Sequence, residues 1–286
     1  MTAEIVKGTE VAAAIKEEIS LEMERLKEET GGGVPGLAII LVGDNPVSKI
    51  NVNNIEKTAQ ELEFNPEVCR LPPETTEEEL IQLIENFNHN KGIHGIVVQL
   101  PLPYHIDDKV ILEAVLPEKD VEGLHSINKG RMLISFTPFL PCTPYACLKI
   151  LEYINFDIEG KRGVVVGRSN NVGKPIAMQL LQKNVTVTIC HSHTVNPAEV
   201  CRKADFLVVA VGRPELVKKD WVKPGGVVID VGVNKVGEKV IGDVDFEEVS
   251  RVASYITPVP GGLGPVTTYT LMLNTLHSFK VVNDLA

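Results

Sequence analysis

No apolar run in the 286 residues approaches the ~20 needed to cross a bilayer; the most apolar stretches, 163–167 and 206–212, are far shorter. The N-terminus also lacks a basic segment followed by an apolar core, so the expectation is a soluble, cytoplasmic protein with no export signal. Positive charge is in deficit. With 28 Lys and Arg against 38 Asp and Glu, the net charge of −10 opposes nonspecific attraction to nucleic acid phosphates and anionic lipid, so neither is an expected partner. The five cysteines form no CxxC pair and are odd in number, which argues against a disulfide framework and a structural zinc site. Reduced, buried thiols are the simplest account, and Cys142 and Cys147 read as packing residues. There is no repeat of solenoid length and no low-complexity tract. At 44% apolar and 23% charged, the composition is that of a globular protein, which excludes collagen-like, coiled-coil and wholly disordered chains.

The patterns that are present alternate helix with strand. Residues 9–29 repeat apolar side chains at three- and four-residue spacings, and "LAIILVG" at 37–43 reads as a strand buried on both faces. A helix over 46–62 opens with Asn45 as N-cap and Pro46 at its first position. Strand "EVCRL", a helix from 75 capped by Thr75 or Thr76, and strand "GIVVQL" at 95–100 follow. From residue 160 a second series begins, with strands at 163–167, 186–190, 206–212 and 226–232 and a helix over 172–182. Strands separated by helices predict an α/β protein of two α/β domains, the second a Rossmann-type doubly wound parallel sheet. The boundary falls near 143–150, which gives a first domain of 1–145 and a second of 146–267. The helical stretch at the C-terminus, 268–286, returns to the first domain.

The turn after the strand at 163–167 runs Gly167, Arg168, Ser169 to Gly173 and into a helix, an arrangement that offers backbone N–H groups and a helix N-terminus to a phosphate. Ser169 replaces the second glycine of GxGxxG, so the motif alone also fits a tight turn without ligand. The next strand, "TVTIC", ends in His191, Ser192, His193 and Thr194 with no Asp or Glu to accept a ribose 2′-hydroxyl. Ser192 can donate to a 2′-phosphate and Arg168 can grip it, which points to NADP over NAD. His191 belongs with this set, whereas His193 reads as a polar strand end, and the pair lacks a third ligand for a metal.

Eight segments in order along the chain together resemble the methylenetetrahydrofolate dehydrogenase/cyclohydrolase (FolD) family: "LVGDNPVS", "GIVVQLPLP", "KDVEG", "PCTP", "VVVGRSNNVGKP", "AVGRP", "VVIDVGVN" and "ASYITPVPGGLGPVTT". The resemblance implies a folate-binding first domain, an NADP-binding second domain, a cleft between them, a homodimer formed through the nucleotide domains, and a role in one-carbon metabolism that supplies purine biosynthesis. It implies two reactions. One is oxidation of 5,10-methylenetetrahydrofolate with NADP⁺, and the other is hydrolysis of the methenyl product. It also implies contacts to cofactor from Gly167, Arg168, Ser169, His191, Ser192, Gly212, Val233 and Thr267. For substrate it implies Asn51, Ile55, Gln99, Glu122, Pro260, Gly261 and Gly262, with Gln99 and Glu122 in catalytic positions.

Three of these positions depart from the family pattern. Asn51 stands where the family has a tyrosine, Ile55 where it has the lysine that moves protons in the hydrolysis, and Glu122 where it has an aspartate. Ile55 carries no proton, and Lys57, two residues on, points about 200° round the helix. The expectation is a dehydrogenase with doubtful cyclohydrolase activity. The alternatives are a bifunctional enzyme in which His94, His105 or Lys57 substitutes, a relative acting on another reduced pterin, and a non-catalytic folate- or nucleotide-binding relative. Asp120 reads as a turn or cap acid. Gly261, Gly262 and Gly264 permit a tight loop as well as close backbone approach to a ligand, and Thr267 caps the last helix or touches ligand.

Overall fold

The computed structural model describes residues 2–135 and 139–285. In chain order the elements are β1 (Glu4–Ile5), α1 (Gly8–Thr30), β2 (Gly36–Val42), α2 (Pro46–Glu61), β3 (Asn65–Leu71), α3 (Glu77–His89), β4 (Gly95–Val98), α4 (Asp108–Ala114), α5 (Ser126–Leu133) and α6 (Cys142–Tyr153). Then come β5 (Arg162–Val166), α7 (Gly173–Gln182), β6 (Thr186–Cys190), α8 (Pro197–Cys201), β7 (Phe206–Val209), β8 (Val227–Asp230), β9 (Asn234–Val236), β10 (Lys239–Ile241), α9 (Phe246–Val249), β11 (Tyr255–Ile256) and α10 (Leu263–Val282). Two units divide the chain: Met1–Ala14 with Thr143–Thr267, and Ile15–Cys142 with Thr268–Ala286. Among the described residues no helix is long and apolar enough to cross a membrane.

In the unit of Ile15–Cys142 and Thr268–Ala286, a three-stranded parallel sheet is ordered β3-β2-β4. All seven residues of β2 are buried, as its unbroken apolar run requires of a central strand covered on both faces. One face packs Ile40, Ile96 and Val98 against Leu80, Ile84 and Ile111 of α3 and α4. The helix starts follow local chemistry. Asn45 Oδ1 accepts from the N–H groups of Val47 and Ser48 ahead of Pro46, and Thr76, not Thr75, closes a capping box with Glu79 at the head of α3. On α2 the buried residues Ser48, Val52, Ile55 and Ala59 recur at helical spacing, so this stripe faces the sheet.

The other unit is a six-stranded sheet, order β1-β11-β8-β7-β5-β6, every pairing parallel. Its core gathers Val164, Val166, Leu207, Val209 and Val228 with Cys190 and Cys201. One expectation needs correction. Residues 1–14 do not belong with the first domain, because Glu4 and Ile5 pair with Tyr255 and Ile256 at the sheet edge. Gly8 donates its N–H to the Gly261 carbonyl, and a Cβ at Gly8 would lie 1.7 Å from the Gly262 carbonyl oxygen, so only glycine permits this packing. A second correction concerns Thr267. Helix α10 begins at Leu263, which places Thr267 one turn inside it, where its hydroxyl donates to the Leu263 carbonyl instead of capping the N-terminus.

Candidate functional site

A cavity of about 560 Å³ opens where β5, β6 and β7 end. Strand C-termini of an open parallel sheet are where its loops part to admit a ligand. Gly167, Arg168, Ser169, His191 and Ser192 all line it, so the structure brings together five residues singled out from the sequence. Gly167 has φ of +131°, and a Cβ there would lie 2.1 Å from the Ala210 carbonyl oxygen, so the turn out of β5 requires glycine. Ser169 Oγ accepts from the Gly173 N–H at the head of α7, and its own O–H can still donate. Past β6, His191 Nδ1 accepts from the His193 N–H and Thr194 Oγ1 from the His191 N–H, a tight turn with Ser192 exposed at its tip. Among the described residues that line this cavity, none is Asp or Glu, while Arg168 and Arg213 bring two guanidinium groups. That lining fits a dinucleotide bearing a 2′-phosphate.

Sequence reading missed Arg213, Leu216 and Trp221 in this cavity. The signal for Arg213 was its place beside Gly212 in "AVGRP"; Trp221, on a single helical turn, carried none. Gly212, between the lining residues Val211 and Arg213 and with φ of +64°, is not itself in the lining. Val233 and Thr267 are not in the lining. Val233 is 73% exposed because its neighbours are drawn inward, Gly232 by Asp230 and Asn234 by Asp243. Pro260 follows a cis peptide bond and Gly261 has φ of +98°, but this loop is also outside the cavity lining.

In the other unit, a cavity of about 430 Å³ lies between the head of α2 and the end of β4. Asn51 and Gln99 both line it, and Asn51 Nδ2 donates to Gln99 Oε1 at 2.6 Å. Gln99 Nε2 donates to the Leu100 carbonyl oxygen, so this carboxamide is engaged at both ends. The other polar lining residues are Asn45, Ser48 and Asn54, which makes the wall one of amides and a hydroxyl, with no titratable side chain among the described residues. Ile55, one turn from Asn51, is only 4% exposed and does not line the cavity. The three candidate replacements for a lysine are placed elsewhere. His94 is buried with Nδ1 accepting from the Gly36 N–H, His105 Nε2 bonds the Thr75 carbonyl, and Lys57 faces Glu61.

Glu122 lies just past the segment that runs beside β4, where the Ile96 N–H donates to the Lys119 carbonyl. Loss of water around its carboxyl and the neighbouring Asp120 push its pKa up to about 8, and a hydrogen bond from the Val98 N–H only partly offsets this. Glu122 is therefore largely protonated at neutral pH. Asp120 closes its own turn, accepting from the N–H groups of Leu124 and His125 and from Asn128 Nδ2. Burial raises the thiols of Cys142 and Cys147, the packing residues of the sequence reading, above the ordinary range.

Family models match two stretches of the chain. The tetrahydrofolate dehydrogenase/cyclohydrolase catalytic domain matches residues 6–122, and the NAD(P)-binding domain of the same family matches residues 141–283. The chain belongs to this family. It is 50% identical over 281 residues to the "Bifunctional protein FolD" of Moorella thermoacetica, covering 98% of this chain and all of that protein. Among solved structures it resembles the FolD methylenetetrahydrofolate dehydrogenase/cyclohydrolase of Campylobacter jejuni, with TM-score 0.92, 44% identity, and coverage of 98% of this chain and 99% of that one. A Trypanosoma brucei family member, solved with NADP cofactor and inhibitor, superposes with TM-score 0.93 at 38% identity, covering 98% of each chain. Within this family, the first cavity lies in the NAD(P)-binding part and the second in the catalytic part.

Proposed function

We propose that the chain is an NADP-dependent 5,10-methylenetetrahydrofolate dehydrogenase in which hydrolysis of the methenyl product is slow. The observation that carries this reading is the wall of the 430 Å³ cavity, whose polar side chains are amides and one hydroxyl, with Ile55 buried behind them. Removing hydride from the one-carbon bridge needs little acid–base help, since the folate nitrogen lone pairs expel it and the resulting cation is shared between two nitrogens. NADP⁺ supplies the hydride acceptor when bound. The chain's own task is positioning. Arg168, Ser192 and Ser169 hold the phosphates, while Asn51 and Gln99 form a fixed polar wall beside the pterin. Adding water to the cation is more demanding, because a proton must be taken up and then delivered as the adduct collapses. Amides do neither at neutral pH, and Ile55 has no proton to give.

A bifunctional enzyme is the second reading. The name of the Moorella protein favours it, and Glu122, in the same unit and with its pKa raised to about 8, is a candidate to carry a proton at neutral pH. The test supplies 5,10-methylenetetrahydrofolate and NADP⁺, then follows NADPH formation and methenyl absorbance together. The first reading expects NADPH to form and the methenyl signal to decay at its spontaneous rate. Enzymatic decay abolished by Glu122→Gln would establish the second. A homodimer in the cytoplasm completes the proposal, and sedimentation of the purified chain checks the dimer.

A further inference from the structure

Asp243 is fully buried, and its carboxyl oxygens accept four hydrogen bonds. Oδ2 takes the N–H groups of Val211 at 2.6 Å and Gly212 at 2.9 Å; Oδ1 takes the Arg213 N–H and Asn234 Nδ2, each at 2.8 Å. Three consecutive N–H groups converging on one acidic group form a concave anion site, a shape that loops often present to phosphate. Here the protein fills that site with its own side chain. The N–H groups of this loop are therefore turned toward Asp243, while Val211 and Arg213 line the cavity.

Asp243 is itself held by a second buried acid. Asp230 Oδ1 accepts from the N–H groups of Gly232 and Asp243, and Oδ2 from the Val244 N–H. Packing around the two carboxyl groups leaves no slack. A Cβ at Gly232 would lie 2.2 Å from Asp243 Cγ, and one at Gly242 would lie 1.8 Å from Asp230 Oδ2. Both oxygens of each acid are bonded to backbone N–H groups 13 to 32 residues away in sequence, so the loop after β7 is tethered at three consecutive N–H groups.

We infer that Asp243 is a positioning residue for the dinucleotide, fixing the loop of Val211, Gly212 and Arg213 so that the Arg213 guanidinium faces the cavity opposite Arg168. This rests on the NADP reading above. Anion binding then falls to the two arginines and the serine hydroxyls, not to the backbone of the 211–213 loop.

The experiment uses Trp221, the single tryptophan, which lines the cavity and reports occupancy through its fluorescence. NADP is titrated into the unaltered protein, Asp243→Asn, Gly212→Ala and Asp245→Ala. Asp243→Asn places an NH₂ group against backbone donors. Gly212→Ala strains the same loop, whose φ is +64°, while leaving the carboxyl group in place. Asp245→Ala removes a nearby helix cap and an ion pair to Lys218 without touching the loop, and serves as the control for general destabilisation. Asp243→Asn and Gly212→Ala are expected to raise the NADP Kd at least tenfold, and the control less than twofold. In turnover the same two variants are expected to raise KM for NADP with kcat at saturation within threefold. Failure of the unaltered protein to bind NADP would remove the functional reading beneath the inference. Normal binding there, with Kd unchanged in Gly212→Ala and in folded Asp243→Asn, or matched by the control, would overturn the inference itself.

Discussion

Asn51 on α2 donates a 2.6 Å hydrogen bond to Gln99 at the end of β4, tying a helix residue to the sheet residue that follows the last buried strand position. The bond settles what the Gln99 carboxamide can do. With its oxygen accepting from Asn51 and its nitrogen donating to the Leu100 carbonyl, it is held in one orientation. Asn51→Ala is expected to release that orientation and raise KM for the folate by severalfold, with NADP affinity measured by Trp221 fluorescence unchanged. An unaltered folate KM would remove Gln99 from the substrate site.

Arg168 is expected to decide the cofactor. It lines an acid-free cavity beside Ser192, and a guanidinium grips a 2′-phosphate far better than a 2′-hydroxyl. Losing one charge-assisted hydrogen bond costs about 1.5 to 3 kcal/mol, so Arg168→Ala is expected to weaken NADP roughly tenfold to a hundredfold and NAD hardly at all. Kd values for both nucleotides check this, and a parallel loss for the two would contradict it.

Glu122 makes stability pH-dependent. Its carboxyl titrates near pH 4.5 in the unfolded chain and near 8 in the folded one, so between these values the folded state holds a proton that the unfolded state has released. Stability is therefore greatest below pH 4.5 as far as this group is concerned, and falls as pH rises to 8. The slope is at most about 1.4 kcal/mol per pH unit. Glu122→Gln cannot titrate yet can still accept the Val98 N–H, and it is expected to flatten the decline. Thermal midpoints at pH 5, 7 and 9 for both proteins measure the difference. Equal slopes would mean that this carboxyl is ordinary.

The capping box at α3 offers a purely structural test. Thr76 Oγ1 accepts from the Glu79 N–H while the Glu79 carboxyl accepts from the Thr76 N–H. Thr76→Ala is expected to cost about 1 kcal/mol of stability and leave NADP affinity alone. Denaturant unfolding gives the first quantity and Trp221 fluorescence the second.

Features governed by neighbours in sequence were legible. Asn45 before Pro46, the Thr76–Glu79 pair and the valine-rich strands each declare themselves within a few residues, as do the cavity residues Gly167, Arg168 and Ser192 at strand ends. Long-range pairing was not. Strand β1 is two residues long, too short for any periodicity, and its partner lies some 250 residues on. Asp243 looks like any surface acid in the sequence, yet it closes a loop 30 to 32 residues earlier. The β9–β10 hairpin did carry a signal, Gly237 with φ of +61° opening the loop between Val236 and Lys239. The protonation of Glu122 depends on Asp120 and the Val98 N–H, and no motif encodes that environment.

The sharpest prediction concerns Asn51 and Ile55 together. Ile55 belongs to the buried stripe of α2, so Ile55→Lys alone places an ammonium where burial lowers its pKa and where Gln99 is already committed to Asn51. Asn51→Tyr alone frees the Gln99 oxygen but adds only a phenol, which ordinarily titrates at about pH 10 and stays protonated at neutral pH. In the double variant the freed oxygen can accept from the introduced ammonium, and the phenol one turn away can direct it, restoring an oriented acid–base group worth about 10² to 10⁴ in rate. Hydrolysis of methenyltetrahydrofolate is therefore expected to rise by more than the product of the two single effects, the coupling that contacting residues in one network show. Hydride transfer, which needs no proton carrier, is expected to change by less than threefold in all three variants. The decisive measurement is methenyl decay against its spontaneous rate across the four proteins. Purely multiplicative effects would separate the two positions energetically, and fast hydrolysis by the unaltered chain would show that the reaction runs without a lysine at position 55.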